Sequence, residues 1–297
     1  MSGFMSSSTA LMICKADSPT SLDLDTLRQQ VFTSEIDADG RRFGWVGLGD
    51  PLDTDGFELA SVDARFMGFS FRLDTRKASG AVIQIQLAEA VREEWASGKK
   101  VGSQRKKELK EAITAKLTAR AEFVPSIIDC IWDAEKGHLL VGSASAKAVQ
   151  PVLDLFKTTF GMDATPITPA GDMPKLFAAI LRGEGYPCGD YTLHPMGSAS
   201  LTASEQAEEK SAVAVQNSLN AVAQALEEGM AIQRLHLVAT SDADPDRQLE
   251  FTLDAGLAVS GLRIPKAEKG TEEDATFLLN ADICSRVADM VETLASA

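Results

Sequence analysis

The sequence has little of what most catalytic sites are built from. Its 297 residues include three histidines (His138, His194 and His236), all far apart along the chain. His236 lies in a strand-like pattern, where an imidazole reads as a satisfied or surface side chain before it reads as a general base. There is no Gly-x-x-x-x-Gly-Lys-Ser/Thr phosphate loop, no Gly-x-Gly-x-x-Gly after a strand, and "GFSFR" lacks the second glycine of a nucleophile elbow. The four cysteines (Cys14, Cys130, Cys188, Cys284) form no Cys-x-x-Cys and meet no His pair, which argues against zinc. They read as free buried thiols in a reducing compartment. Long apolar runs are missing as well. "ALMIC" (10–14) lacks a basic flank and is too short for a signal-peptide core or a membrane span, so a cytoplasmic protein with no membrane contact is expected.

Two acidic clusters come close to metal motifs and miss. Asp242, Asp244 and Asp246 resemble the start of a calcium loop, but Arg247 stands where glycine is needed and Leu253 where a bidentate glutamate is needed. A polar hairpin loop is the better reading. Glu208 and Lys210 give a Glu-x-Lys without the upstream Pro-Asp that a metal-dependent nuclease would add. No catalytic residue, metal or cofactor is assigned, and the expectation is that the protein is not an enzyme.

Positive charge is scarce too. There are 29 Lys and Arg against 43 Asp and Glu, a net −14. Residues 1–150 carry 19 basic and 21 acidic side chains and residues 151–297 carry 10 and 22, so the acidity lies in the second half. Against that background, "GKKVGSQRKKELK" (98–110) gathers Lys99, Lys100, Arg105, Lys106, Lys107 and Lys110 with Glu108 as its one acid. A helix over 104–120 places Leu109, Ala112, Ile113 and Leu117 on one face. Lys107 and Lys110 then point sideways or outward with Thr114 and Thr118, while Lys116 and Arg120 fall nearer the apolar stripe and must snorkel, pair with acids or face a charged cavity. Lys99 and Lys100 precede the helix, where loop amides and helix-start donors can grip phosphates. Taken alone, such a run is most often a solvated helix face.

The remaining periodicities predict strands at "TALMICK", 65–73, "SIIDCIWD", "HLLVGSA", "AIQRLHLVAT", "RQLEFTLD", "GLAVSGLRI" and "DATFLL". Helices are predicted at 21–32, at 81–95, from Ser145 to Gly161, over "DMPKLFAAILRG", from the capping box "TASE" (202–205) to Gly229, and at the end from an Asn280 cap. Residues 185–212, rich in Gly and Pro, read as a linker or excursion. Hairpins mixed with helices give the class α+β, with mixed antiparallel sheets and flanking helices. The parts are 1–75, a central 76–184 with the basic run, a finger-like 185–230, and a closing meander and helix at 231–297, together one continuous fold.

The order of these segments is specific. "FGWVGLGD", a strand, "AVIQIQLAEAVREEW", a basic linker, "KKELKEAITAKLTARAEF" and "IIDCIWDAEKGHLLVGSASAKAVQPVLDLFKTTFG" resemble the RdgC family of bacterial recombination-associated proteins. "AIQRLHLVATSDADPDRQLEFTLDAGLAVSGLRIPK" and "DATFLLNADICSRVADMVETLA" are similar to its C-terminal part. The resemblance implies a ring-shaped homodimer through which duplex DNA passes, held without sequence preference. It implies no established catalysis, restraint of RecA-type recombinase filaments, and a place at the nucleoid. It puts Lys99, Lys100, Arg105, Lys106, Lys107 and Lys110 in the family's basic linker and helix, and Arg120 in an equivalent turn. The ring-closing aromatic is displaced by one here, with Glu122 first and then Phe123. The family's basic finger at 185–212 is reduced here to "PMGSASLTASEQAEEK", with Lys210 as its one basic residue.

The leading expectation is therefore a sequence-independent DNA-binding homodimer that encircles double-stranded DNA, with single-stranded DNA left open as an alternative ligand, and modulates recombination, its DNA face made of Lys99, Lys100, Arg105, Lys106, Lys107, Lys110, Lys116 and Arg120. One alternative is a protein–protein adaptor that kept the fold and lost the DNA site. The other is a metal-dependent nuclease.

Overall fold

The computed structural model describes residues 3–17, 21–60, 62–183, 185–203, 212–216, 218–241, 243–265 and 270–297. The chain forms two compact units. The larger comprises residues 1–31, 45–71 and 128–297, and the smaller comprises 32–44 and 72–127. The class is α+β, as expected: twelve strands and seven α-helices lie among the described residues.

The larger unit is built on an antiparallel sheet. Its strands are β1 (Ser8–Ala16), β5 (His138–Val141), β6 (Ala164–Pro166), β7 (Tyr186–Cys188), β8 (Tyr191–Ala203), β9 (Ala212–Val215), β10 (Met230–Ser241), β11 (Asp244–Asp254) and β12 (Val259–Arg263). Parts of β2 (Arg42–Gly47), β3 (Phe66–Arg76) and β4 (Phe123–Asp133) belong to it as well, and the order is β2-β3-β4-β5-β1-β12-β11-β10-β8-β7. β1 joins two halves of this order. Its start pairs with β12 (Thr9 with Leu262), and after an irregularity before Leu11 its end pairs with β5 (Ile13 with Leu140).

Helices α1 (Leu24–Arg28), α4 (Ala146–Phe160), α5 (Met173–Arg182), α6 (Leu219–Glu227) and α7 (Glu273–Ala295) complete the unit. α4 buries Val149, Val152, Leu153, Leu155, Phe156 and Thr159 and ends on Gly161 in the left-handed region, the conformation glycine adopts without penalty. The Trp45 indole meets Phe69 and Phe71 edge-on and donates to Thr159 Oγ1 at 2.8 Å, so its one polar atom is satisfied inside the core. All four cysteines are free and buried. Burial pushes the thiols up, to about 12 for Cys14 and Cys284 and about 11 for Cys188, so they behave as small apolar side chains.

Four expectations are corrected. "DATFLL" is not a strand, and Asn280 is not a cap: both lie inside α7, where Phe277, Ala281, Cys284, Ala288, Val291 and Ala295 form one buried stripe. The Asn280 amide donates to the Phe4 carbonyl at 2.8 Å. Residues 185–203 are no linker but β7 and the long β8, which pairs with β10 along its length. Thr202 belongs to β8 rather than to a helix start, and the following helix, α6, is capped by the Ser218 hydroxyl at the Ala221 amide. Ser204, Glu205, Glu208, Lys210 and Asp242, and the side chains of Asp244, Asp246 and Arg247, lie outside the described residues.

The smaller unit holds α2 (Gly80–Ala96), α3 (Ser103–Arg120) and the remaining residues of β2, β3 and β4. α2 packs on α3 and buries only Ile83 and Leu87, while α3 buries nothing. A helix of 18 residues with no buried side chain gains little from packing. Its stability rests on helix-forming residues and on ties to its neighbours.

Candidate nucleic-acid interface

The two units divide the charge sharply. The smaller carries 14 basic and 10 acidic residues, a balance of +4, and the larger carries 15 and 33, a balance of −18. All eight expected DNA-contacting residues fall in the smaller unit, and all eight are exposed.

The turn between the helices aims the first two. α2 ends with Gly98 at φ +79°, whose amide donates to the Trp95 carbonyl at 3.0 Å, while the Lys99 amide reaches the Glu94 carbonyl at 2.9 Å. This closing pattern satisfies carbonyls at the end of the helix and needs a residue that tolerates the left-handed region. Lys99 and Lys100 leave it in fixed order, both exposed, ahead of Gly102, which starts α3.

The first turns of α3 contain Arg105, Lys106 and Lys107 and no acid in the first turn. Cations at a helix N-terminus oppose the macrodipole by about 0.3–1 kcal/mol each. Arg105 is compensated: its guanidinium binds Glu94 Oε1 at 2.7 Å and Glu108 Oε2 at 3.1 Å. Hydrogen bonding to Glu94, and then to Glu108, raises its pKa, and the bond from Arg105 holds the Glu94 carboxyl low. Arg105 therefore ties α3 to α2. Lys107 stands 4.0 Å from Glu111, a loose exposed pair. Lys99, Lys100, Lys106, Lys110, Lys116 and Arg120 form no ion pair among the described residues. Lys116 and Arg120 reach solvent instead of a charged cavity, since α3 has no buried face for them to snorkel across. The Thr114 hydroxyl donates to the Lys110 carbonyl at 2.7 Å, and both Thr114 and Thr118 are half-buried.

Sequence reasoning passed over a second set of cations in this unit. Arg42 and Arg76 both stack on the Phe123 ring, at 3.9 and 4.6 Å from its centroid. The Nε atoms of both are buried without a hydrogen-bond partner among the described residues. Arg76 also donates to the Ala119 carbonyl at 3.0 Å, which anchors the last turn of α3. Arg72 lies 4.0 Å over Phe32 and pairs with Asp74 at 2.9 Å. These arginines lie in strands, at most as one of a basic pair (Arg41-Arg42, Arg76-Lys77), so no long run of charge marks them. Phe123 thus has both stacking partners in its own unit, and Glu122 beside it is exposed.

Carboxylates in the described residues do not converge: no group of three or more His, Cys, Asp or Glu side chains is placed to hold a metal ion. No described helix is long and apolar enough to cross a membrane. In chemical terms, the smaller unit offers exposed, unpaired cations on a helix and its leading turn, which suits phosphate binding without base readout.

A family model described as "RdgC: Putative exonuclease, RdgC" matches residues 11–294. No curated protein matches the chain.

Proposed function

The chain belongs to the RdgC family, and from that premise we propose that it is a sequence-independent DNA-binding protein of homologous recombination. One observation carries this reading: the unpaired lysines of the 99–116 stretch stand exposed on the positive unit of an acidic chain. Lys99, Lys100, Lys106, Lys107, Lys110, Lys116 and Arg120 contact phosphates, and Arg105 chiefly holds the two helices together. The acidic larger unit repels DNA elsewhere, so duplex is directed to this face. In this reading the protein works as a homodimeric ring around duplex DNA, with Glu122 and Phe123 near a dimer contact, and restrains a RecA-type recombinase at the nucleoid.

Replacing Lys99, Lys100, Lys106 and Lys110 together by Glu abolishes retention of duplex DNA in a gel-shift assay. Unchanged retention sinks the assignment of this face. A solution mass near twice 31.7 kDa supports the ring, and a monomer counts against it.

The family's description favours a second reading, an exonuclease. We propose the non-catalytic role over it, because phosphodiester cleavage by the usual route needs carboxylates gathered on a divalent ion. End-labelled duplex incubated with magnesium or manganese decides between the two: shortening from an end favours the nuclease, and intact label favours the binding protein.

A further inference from the structure

The chain has three tryptophans, and one of them breaks the pattern of the others. Trp45 and Trp132 are 0% and 1% exposed, whereas Trp95 is 61% exposed. An indole left in water forgoes one of the largest burial gains a side chain can make. The aromatic faces of Phe32 and Phe123 in the same unit are covered by arginines. Trp95 has no ring or cation–π contact among the described residues. Its face is open.

Nor is it part of a longer apolar patch along α2. Ile85 and Val82, the other large apolar residues exposed on that helix, lie ten and thirteen positions back, about 15 and 20 Å along the axis. Charged residues flank Trp95 in sequence instead: Glu94 is taken up by Arg105, Glu93 is exposed, and three cations lie close along the chain. Arg92, one turn earlier, is exposed and unpaired among the described residues. Lys99 and Lys100 follow just past the Gly98 turn, and that turn closes on the Trp95 carbonyl itself, so the indole and the lysines are held by one piece of backbone.

An open aromatic face set among cations suits a single strand: a base stacks on the ring while its flanking phosphates meet the charges, and every base presents such a face. We propose that Trp95 is a stacking platform for unpaired bases of single-stranded DNA, with Arg92, Lys99 and Lys100 neutralising the neighbouring phosphates. This rests on the DNA-binding reading and refines it, because paired bases already stacked in a duplex can reach the indole only if a step is opened. Trp95 therefore adds affinity for single strands and little for duplex.

The two buried tryptophans make the test direct. Titrating the full-length protein with oligo-dT at low salt quenches the exposed indole's fluorescence, and Trp95→Ala removes the quench. The same variant weakens oligo-dT binding about tenfold and changes duplex binding less than twofold, while Trp95→Phe retains most of the single-strand affinity. Oligo-dT binding unaffected by Trp95→Ala overturns the platform and leaves the DNA-binding reading standing. Equal weakening toward both ligands overturns it too, since a general disturbance of the helix turn would do that. Failure of the unaltered protein to bind either ligand overturns the DNA-binding reading and the platform with it.

Discussion

At the scale of single residues, two buried ionisable groups in the larger unit give testable consequences. Asp133 has a fully buried side chain. Burial alone would raise its carboxyl, but hydrogen bonds from Arg65 and Ser285 and the charges of Arg65 and Lys136 outweigh that and hold it below the usual range. The Arg65 Nη2 bond is 3.0 Å, and the Ser285 hydroxyl donates at 2.6 Å. Arg65→Met strands this carboxylate, and urea unfolding should show a loss of about 3 kcal/mol. A loss under about 1 kcal/mol would mean that Ser285 and the backbone amides suffice. His138 acts in the opposite sense. Its ring nitrogens are buried and without a hydrogen bond among the described residues, and Glu292 Oε2 approaches Nε2 only to 3.4 Å. Burial lowers its pKa, against the raising charges of Glu292 and Asp133 and with the lowering charges of Lys15 and Lys136. The folded state therefore binds fewer protons than the unfolded chain below about pH 6.5, and stability falls as pH drops through that value. Urea midpoints measured from pH 8 to 5 should decline below about 6.5, and His138→Gln should flatten that part of the curve. Equal slopes for the two proteins would clear His138 of the effect. Neither residue announces its burial in the sequence, because a lone His or Asp beside a turn reads the same whether wet or dry.

At the scale of elements, the α2–α3 turn is the sensitive point. Gly98 at φ +79° meets no atom that a Cβ would strike, so the cost of a side chain there is purely conformational. Gly98→Ala should cost about 1 kcal/mol, felt locally. Amide exchange at Ser97, residue 98 and Lys99, whose hydrogen bonds close the helix, should speed up about fivefold with the larger unit's amides unchanged. Uniform protection across both units would show that the turn tolerates the substitution. The turn was legible from sequence, since Gly98 follows a good helical pattern and precedes polar residues. Two other elements were not. β8 contains Pro195 and Gly197, ordinary marks of a loop, but its pairing with β10 shifts between Leu235 and Leu237, and that irregularity takes them up inside the strand. Early in α7, after its acidic first turn, comes the dense apolar cluster Phe277, Leu278 and Leu279, which has no clear period over so few residues. Only the stripe continuing to Ala295 shows the helix.

At the scale of the whole molecule, charge polarity follows the fold rather than the order of residues. Halving the sequence gives balances of −2 and −12, which blurs the contrast, because the positive unit is assembled from residues 32–44 and 72–127. Grouped by unit, the balances become +4 and −18. The basic run was visible in the sequence, but its isolation on the one positive unit was not, and that isolation sets how binding should respond to salt. Six cations of the candidate face (Lys99, Lys100, Lys106, Lys110, Lys116 and Arg120) have no ion pair to break among the described residues before they meet phosphate. If each releases one counterion's worth of charge, log K for duplex should fall against log salt with a slope of about −5 per protomer engaged. Arg105 is already held by Glu94 and Glu108, so Arg105→Gln should leave that slope nearly unchanged even where it loosens the helix pair. Lys106→Gln with Lys110→Gln should make the slope shallower by about 2. Filter-binding titrations between 50 and 300 mM salt measure all three. A slope near zero for the unaltered protein would remove phosphate contact as the source of affinity, and an equal change for Arg105 and for the lysine pair would contradict the division between a structural arginine and free lysines.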